Sequence, residues 1–178
     1  MLGMRFIKSQ PTTHLMQFRK GKVVREGAGQ SFFYYGPTST VVAVPVGSQD
    51  RPFILELVTV DFQSITVQGQ VTFRVTDPRR IASLMDFSLA PDGRGFTSED
   101  PQRLGERVAM QAEVIVRQTV QQMDLKQALR SSASIAQDCQ QRLASQAEVM
   151  ALGLEVLGVS VLAIKPTPDM ARALEAEA

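Results

Sequence analysis

The sequence predicts an α+β fold, with antiparallel strands in the first half, two amphipathic helices, a returning strand and a C-terminal helix. Three observations predict it. Short apolar runs separated by glycine and proline fill the first half, and the stretch Ile65–Val75 alternates apolar with polar residues. After Pro78 the apolar residues instead recur at intervals of three and four. Strands segregated from helices favour α+β over a doubly wound parallel sheet.

The composition limits the possible functions. With 178 residues, 44% of them hydrophobic, the chain can form one substantial domain. A formal net charge of +1 gives no overall field that would attract nucleic acid, so we expect no nucleic-acid partner. The single cysteine, Cys139, excludes an internal disulfide and suits a reducing compartment. No apolar run approaches the ~20 residues that span a bilayer, so we expect no transmembrane segment. We also expect no signal peptide. The predicted location is therefore the cytoplasm, either free or peripherally bound at the inner face of a membrane.

Residues 1–21 are predicted to form a basic N-terminal arm. Six lysines and arginines precede Glu26, the first acidic residue. One interpretation is a solvated arm and first strand whose charges face water. The other is a patch on anionic lipid, where each base contributes about 1 kcal/mol. The candidate contacts with a membrane surface are Arg19, Lys20, Lys22 and Arg25.

Residues 22–77 form the strand-rich part of the predicted domain, which spans 22–166. Glycines separate short apolar runs up to Val46, and Phe53–Val60 is a further strand. The alternation in Ile65–Val75 predicts one buried and one solvated strand face. Residues 61–64 connect these two strands as a hairpin, and Asp77-Pro78 ends the second strand.

Residues 78–166 hold helices and a closing strand. Helices are predicted from Pro78, over about 101–123, over one turn at 124–129, and from Ser132 to Leu152, with Gly153 as a left-handed cap. The long second helix is predicted to bury one face, on which Cys139 is an inert buried thiol. That face comprises Ile135, Cys139, Leu143, Ala147 and Met150. The closing strand, Leu154–Lys165, has apolar residues on both faces, which predicts cover on two sides.

Residues 167–178 are predicted to form the beginning of a C-terminal helix. Met170, Ala173 and Leu174 are spaced to contact a partner, which makes them the candidate oligomerisation residues. Ten helical residues fit either the beginning of a coiled coil or a docked terminus.

No pattern in the sequence indicates catalysis. The only histidine, His14, lies in the basic N-terminal segment, and the chain has too few cysteines and histidines for a zinc site. No phosphate-binding glycine loop is present. We therefore expect no enzyme activity, no catalytic residues, no metal and no cofactor. A hydrolase that uses scattered carboxylates is the least favoured alternative.

Four stretches together resemble a known superfamily. They are residues 27–37, residues 59–78 with the ending Arg-Val-Thr-Asp-Pro, residues 125–129, and residues 153–166 with 170–178. In this order they resemble the stomatin/prohibitin/flotillin superfamily, the SPFH or band 7 domain. The resemblance covers about residues 20–178. Where the family usually has Asp-Gly in the hairpin, this chain has Asp61-Phe62.

The resemblance implies a non-enzymatic scaffold. Family members mostly assemble side by side into rings or cages on membranes, and they hold or regulate proteases, channels and lipids. We therefore expect a homo-oligomer that acts at an anionic membrane surface or on a membrane-bound partner such as a protease. The alternative is a soluble adaptor that binds one protein partner and forms no rings.

Overall fold

The computed structural model describes residues 2–178 and has the predicted α+β fold. The strands are β1 (Met4–Lys8), β2 (Thr13–Arg19), β3 (Lys22–Ala28), β4 (Ser31–Tyr35), β5 (Ser39–Pro45), β6 (Gln49–Val58), β7 (Ser64–Val75) and β8 (Leu154–Pro166). The helices are α1 (Pro78–Leu84), α2 (Asp100–Val120), α3 (Leu125–Arg130), α4 (Ser132–Ala144), α5 (Ala147–Ala151) and α6 (Pro168–Glu177).

The chain divides into two compact units. The first consists of the residues up to Ser48 together with Arg74–Leu104 and Ala151–Glu155. The second consists of Gln49–Phe73, Gly105–Met150 and Val156–Ala178. The strand-rich beginning of the chain and most of the helical part therefore belong to separate cores.

The first unit contains two antiparallel sheets. One has the order β1-β4 and the other the order β3-β2-β5. A shared cluster of buried side chains includes residues from both sheets, so the inner face of the β1-β4 pair is covered by the three-stranded sheet. The cluster comprises Leu15, Phe32, Tyr34, Val41 and Ala43.

Much of the segment predicted as a basic arm, residues 1–21, lies in the sheets. Met4–Lys8 forms β1 and Thr13–Arg19 forms β2, and β2 is the middle strand of its sheet. Leu15, Met16 and Gln17 are buried one after another, so β2 is covered on both faces. The burial of these three adjacent residues holds β2 inside the unit, although charged residues flank it in the sequence.

The second unit is organised around β7. This strand lies in the middle of the sheet β6-β7-β8, and its odd-numbered residues from Ile65 to Val75 are buried. Opposite it, Phe53, Leu55 and Leu57 of β6 are buried on the same alternation. The prediction of a half-buried strand is confirmed.

The hairpin that joins β6 to β7 is held by polar contacts. The Thr59 hydroxyl donates to the Asp61 carboxylate, which also accepts from the Leu125 backbone N–H at 3.1 Å. Phe62 follows with a φ of 60° and 88% of its surface exposed. It adopts the left-handed conformation that favours glycine, at a cost of about 1 kcal/mol. The hairpin is therefore maintained around an unfavourable residue by the bonds of Thr59 and Asp61.

The predicted second helix, Ser132–Leu152, is two helices. It is interrupted between Ala144 and Ala147, because the Ser145 hydroxyl bonds back to the carbonyls of Gln141 and Arg142 and so terminates the first part. Ile135, Cys139 and Leu143 are buried as predicted. Beyond the break the buried residue is Val149, while Met150 is exposed, since the helix does not continue in phase.

The prediction that β8 is covered on both faces is wrong. The strand is at the edge of its sheet, and only Leu154 and Val159 along it are buried. Leu157 and Leu162 are exposed. The side chains of a strand point above and below the sheet, so their burial depends on what packs on those faces and not on the apolar content of the strand.

Gly69 occupies a position in β7 where a side chain cannot fit. It pairs directly with Phe53, whose ring covers it, and a Cβ at this position would overlap that ring and lie 2.8 Å from the Ser160 carbonyl oxygen. In β8, by contrast, nothing lies within 4 Å of a Cβ built on Gly158. The two glycines are therefore a matched pair within one sheet.

We expect Gly69→Ala to lower the free energy of unfolding by about 2 kcal/mol, because the added methyl group displaces the Phe53 ring. Gly158→Ala should change it by less than about 0.5 kcal/mol. Urea unfolding measured by circular dichroism compares the two variants. Equal effects of the two substitutions would contradict the packing described for Gly69.

Candidate membrane and assembly surfaces

The turn between β2 and β3 presents three of the four predicted lipid-contacting bases. Arg19 and Lys22 are paired across the hairpin, and Lys20 and Gly21 form the turn with φ values of 53° and 74°. Two left-handed residues in succession are typical of a type I′ turn, which matches the twist of the strands. Among residues 2–178 no carboxylate forms an ion pair with Arg19, Lys20 or Lys22. The turn is therefore a local concentration of uncompensated positive charge.

Arg25 is separate from this turn. Its guanidinium carbon lies 4.7 Å from the centre of the Phe32 ring, within the range of a cation–π interaction. Phe32 itself belongs to the core of the first unit. The predicted set of four bases thus divides into three at the turn and one that covers the core.

The outer face of the β1-β4 pair is an apolar surface that sequence reasoning missed. The register pairs Met4 with Tyr35 and Phe6 with Phe33, so these four side chains share one face. Phe6 is 56% and Phe33 66% exposed, and their ring centres are 4.8 Å apart. We call Met4, Phe6, Phe33 and Tyr35 the aromatic face. Lys8 continues the same row beside Ser31.

A signal for this face was present in the sequence. Four aromatic residues follow one another in Phe32–Tyr35, so that both faces of a strand there must be apolar. The β1-β4 pair has only two strands and one covered face. Phe32 and Tyr34 are buried, and their neighbours Phe33 and Tyr35 therefore point outward.

The C-terminal helix α6 carries the predicted oligomerisation residues on its surface. It starts at Pro168 and is capped by the Thr167 hydroxyl, which accepts from the Met170 N–H. The helix has no buried residue: Met170 and Leu174 are half-buried, and Ala173 is exposed. Part of its apolar side is thus available to a partner.

An ion-pair network joins β2, β3 and α1 in the first unit. Arg79 donates to both carboxylate oxygens of Glu26, at 2.9 and 3.0 Å from Nε, and the His14 ring lies 3.5 Å from the same carboxylate. The hydrogen bond from Arg79 is the largest effect and holds the pKa of Glu26 below its ordinary value; burial opposes it, and the hydrogen bond from His14 adds a smaller lowering. The network links strands to a helix and leaves no free nucleophile.

A reactive cysteine or a cluster of metal-binding side chains would indicate a catalytic or metal site. Cys139 is buried, and burial raises the pKa of its thiol to about 11, so the thiolate is not formed near neutral pH. Within residues 2–178 there is no cluster of three His, Cys, Asp or Glu side chains able to hold a metal ion. The candidate sites of function are the basic turn, the aromatic face and the apolar side of α6.

Residues 7–178 match the model of the SPFH domain / Band 7 family. The chain belongs to this family. The match starts within β1 and extends through α6, so it includes most of the first unit, the whole second unit and residues 7–21 of the segment first predicted as an arm. No curated protein matches the sequence.

Members of the SPFH domain / Band 7 family are generally membrane-associated scaffolds and generally non-enzymatic. Of the helices formed by residues 2–178 in this family member, none combines the length and the apolar character needed to cross a bilayer.

We expect the Glu26–Arg79 pair to stabilise the protein at neutral pH and not in acid. A carboxylate with a lowered pKa contributes stability above its unfolded pKa of about 4.3, and this contribution is lost as the pH falls through the lower, folded pKa. Arg79→Met should lower the free energy of unfolding slightly at pH 7, because the pair is exposed to solvent. The difference from the unaltered protein should shrink as the pH falls and disappear in acid, where Glu26 is protonated in the folded and the unfolded state.

Thermal unfolding from pH 7 to pH 2.5 measures this effect. Glu26→Gln should produce a similar loss at pH 7, and the double variant should lose no more than either single one, since both changes remove one interaction. Additive losses, or a difference that persists in acid, would contradict the role assigned to the pair.

Proposed function

We propose that this SPFH-domain protein is a non-enzymatic scaffold module that rests on an anionic membrane surface and associates laterally with further copies of itself. The observation that supports the membrane contact most is the aromatic face of the β1-β4 pair. Four large apolar side chains share one exposed face of a short ribbon, with Lys8 in the same row.

The chemistry of this face suits the interface between lipid and water. Phe and Met are apolar, while Tyr has a polar hydroxyl that can remain among the head groups. Lys8 extends a long apolar stem with a charged end, an arrangement that pairs with anionic phosphates. The turn Arg19–Lys22 provides further positive charge. Such a surface contacts the head-group region and does not need a membrane-spanning helix.

The lateral association is proposed for α6. Met170 and Leu174 are spaced four apart and half-buried, so one turn of the helix offers an apolar strip to a second helix. An isolated ten-residue helix is marginal in water, and a partner would stabilise it. A protease or another membrane protein held by such an assembly would be a further partner.

A soluble adaptor is the second candidate. The exposed apolar residues Ile54 and Leu162, on the outer face of the sheet β6-β7-β8, favour it, because they are available to a protein partner without any lipid. The two functions differ in the surface they use and in their dependence on vesicles.

We expect the double variant Phe6→Thr, Phe33→Thr to bind phosphatidylserine-containing vesicles at least tenfold more weakly than the unaltered protein. Each phenyl ring buried in the interface contributes about 1–2 kcal/mol, and threonine keeps the preference for strand. Vesicle sedimentation measures the affinity, and a thermal melt checks that the variant is folded.

Ile54→Thr is the matched control, because it removes an exposed apolar residue from the other unit. The triple variant Arg19→Glu, Lys20→Glu, Lys22→Glu should weaken binding to anionic vesicles at low salt and have little effect at high salt. If the aromatic variant binds as the control does, the membrane contact proposed here is wrong.

We expect Leu174→Glu to reduce the oligomer size of the protein at micromolar concentration, because a charge in the apolar strip opposes helix pairing. Arg172→Glu lies on the exposed side of α6 and serves as the control for a changed charge. Sedimentation velocity with and without vesicles gives the size of each form. A strict monomer in both conditions, already for the unaltered protein, would exclude lateral assembly and favour the adaptor.

A further inference from the structure

The first unit contains a cleft to which the membrane contact and lateral association proposed above assign no role. Its volume is about 440 Å³, within the range of small-ligand sites. One wall is the end of the β1-β4 pair with Gly36 and Pro37, and the opposite wall is the loop from Ser88 to Pro91. Val41 and Leu89 add apolar lining. The cleft therefore has polar and apolar parts within a single unit.

The only charged side chain among the residues that line this cleft is Arg5. Within the described part of the chain its guanidinium forms no ion pair with a carboxylate. Gly36 makes room for it, because a Cβ there would lie 3.0 Å from the Arg5 Nε atom. A guanidinium that lines a cleft without a protein carboxylate is a ready partner for an anion.

A hydroxyl in the cleft is oriented as a donor by a buried side chain. Gln17, which is 2% exposed, donates from Nε2 to the Ser39 Oγ atom at 3.1 Å. Because Ser39 accepts this bond, its own proton points away from Gln17. The Gln17 Oε1 atom has no hydrogen-bond partner among residues 2–178, so burial of this amide carries a cost that the bond to Ser39 only partly offsets. A buried polar group retained in this way indicates a defined role for the hydroxyl it orients.

The wall of the cleft that contains Ser88 and Thr97 provides fewer free hydrogen-bond donors. The Ser88 N–H and the Thr97 hydroxyl already donate to the Asp86 carboxylate, at 2.9 and 3.2 Å. The donors that remain are therefore the Arg5 guanidinium and the Ser39 hydroxyl, since Thr40 follows Ser39 in β5 and its side chain points to the other face of the strand. The two N–H groups of a guanidinium fork and one hydroxyl suit an anion with three terminal oxygens better than the two oxygens of a carboxylate.

We propose that this cleft binds a phosphate group, carried either by the head group of an anionic phospholipid or by a small soluble phosphate ester. Arg5 provides the charge, Ser39 donates a hydrogen bond, and Gln17 is a positioning residue for Ser39. The lipid source rests on the membrane function proposed above, because Arg5 alternates along β1 with Met4 and Phe6 of the aromatic face. The cleft itself does not depend on that function.

The test has a lipid arm and a soluble arm. In the first, vesicles with phosphatidic acid in phosphatidylcholine are sedimented with the full chain. Arg5→Met and Ser39→Ala should each weaken binding by about tenfold, the loss expected for a charge-assisted hydrogen bond. Arg19→Met removes the same charge outside the cleft and should weaken binding by less than about threefold. Thermal melts establish that all three variants are folded.

In the second arm, glycerol 3-phosphate is titrated into the isotope-labelled full chain without lipid. The backbone resonances of Arg5, Ser39, Thr40 and Ser88–Ala90 should shift, and Arg5→Met should abolish the shifts. Gln17→Leu should reduce them, while Gln17→Glu, which cannot donate to Ser39 when ionised, should reduce them equally.

The outcomes separate the two proposals. Shifts by glycerol 3-phosphate together with a loss of vesicle binding in Arg5→Met support a lipid head group as the ligand. The same shifts without any vesicle binding support a soluble phosphate ester and overturn the membrane function, not the cleft. Arg5→Met that behaves as Arg19→Met in the vesicle arm, with shifts absent or confined to other residues in the soluble arm, overturns the cleft proposal.

Discussion

The second unit depends on the burial of one face of β7, the middle strand of its sheet. Six alternate positions of this strand face inward, and a shift of one residue in register would turn all of them to solvent. Gly69 adds a second constraint, since only glycine leaves room for the Phe53 ring above it. Alternation and close packing thus specify the same register. The hairpin before β7 maintains that register through Thr59 and Asp61, which compensate the unfavourable conformation of Phe62.

The exposed aromatic surface results from the small size of the β1-β4 sheet. A two-stranded ribbon with aromatic residues on both faces can cover only one of them, and the first unit covers the inner face with β2 and β5. Exposed aromatic rings weaken the solubility of a monomer and contribute nothing to its core. Exposed rings of this kind are typical of surfaces that a membrane or another molecule covers. The basic turn and the cleft at Arg5 place positive charge in the same unit as these rings, which supports the proposal of an anionic membrane surface.

The candidate sites of function in this protein are exposed surfaces. Hydrogen bonds from Arg79 and Thr59 lower the pKa values of Glu26 and Asp61, and burial raises the pKa of the Cys139 thiol. These interactions connect strands to helices or close a hairpin. The arrangement agrees with a family of generally membrane-associated scaffolds, in which the domain provides faces for contact.

The sequence by itself determined the fold class, the half-buried β7, the helix starts at Pro78 and Pro168, and the family, because periodicity and capping are local properties of the chain. Only the tertiary structure decided that β1 and β2 are strands of two different sheets and that β8 is an edge strand. It decided too that the second long helix is interrupted at Ser145. It also decided which aromatic residues of β4 face outward and that Arg5 lines a cleft. Strand order and the cover of each face depend on partners distant in sequence, and a pattern of apolar residues does not say which of its two sides will be covered.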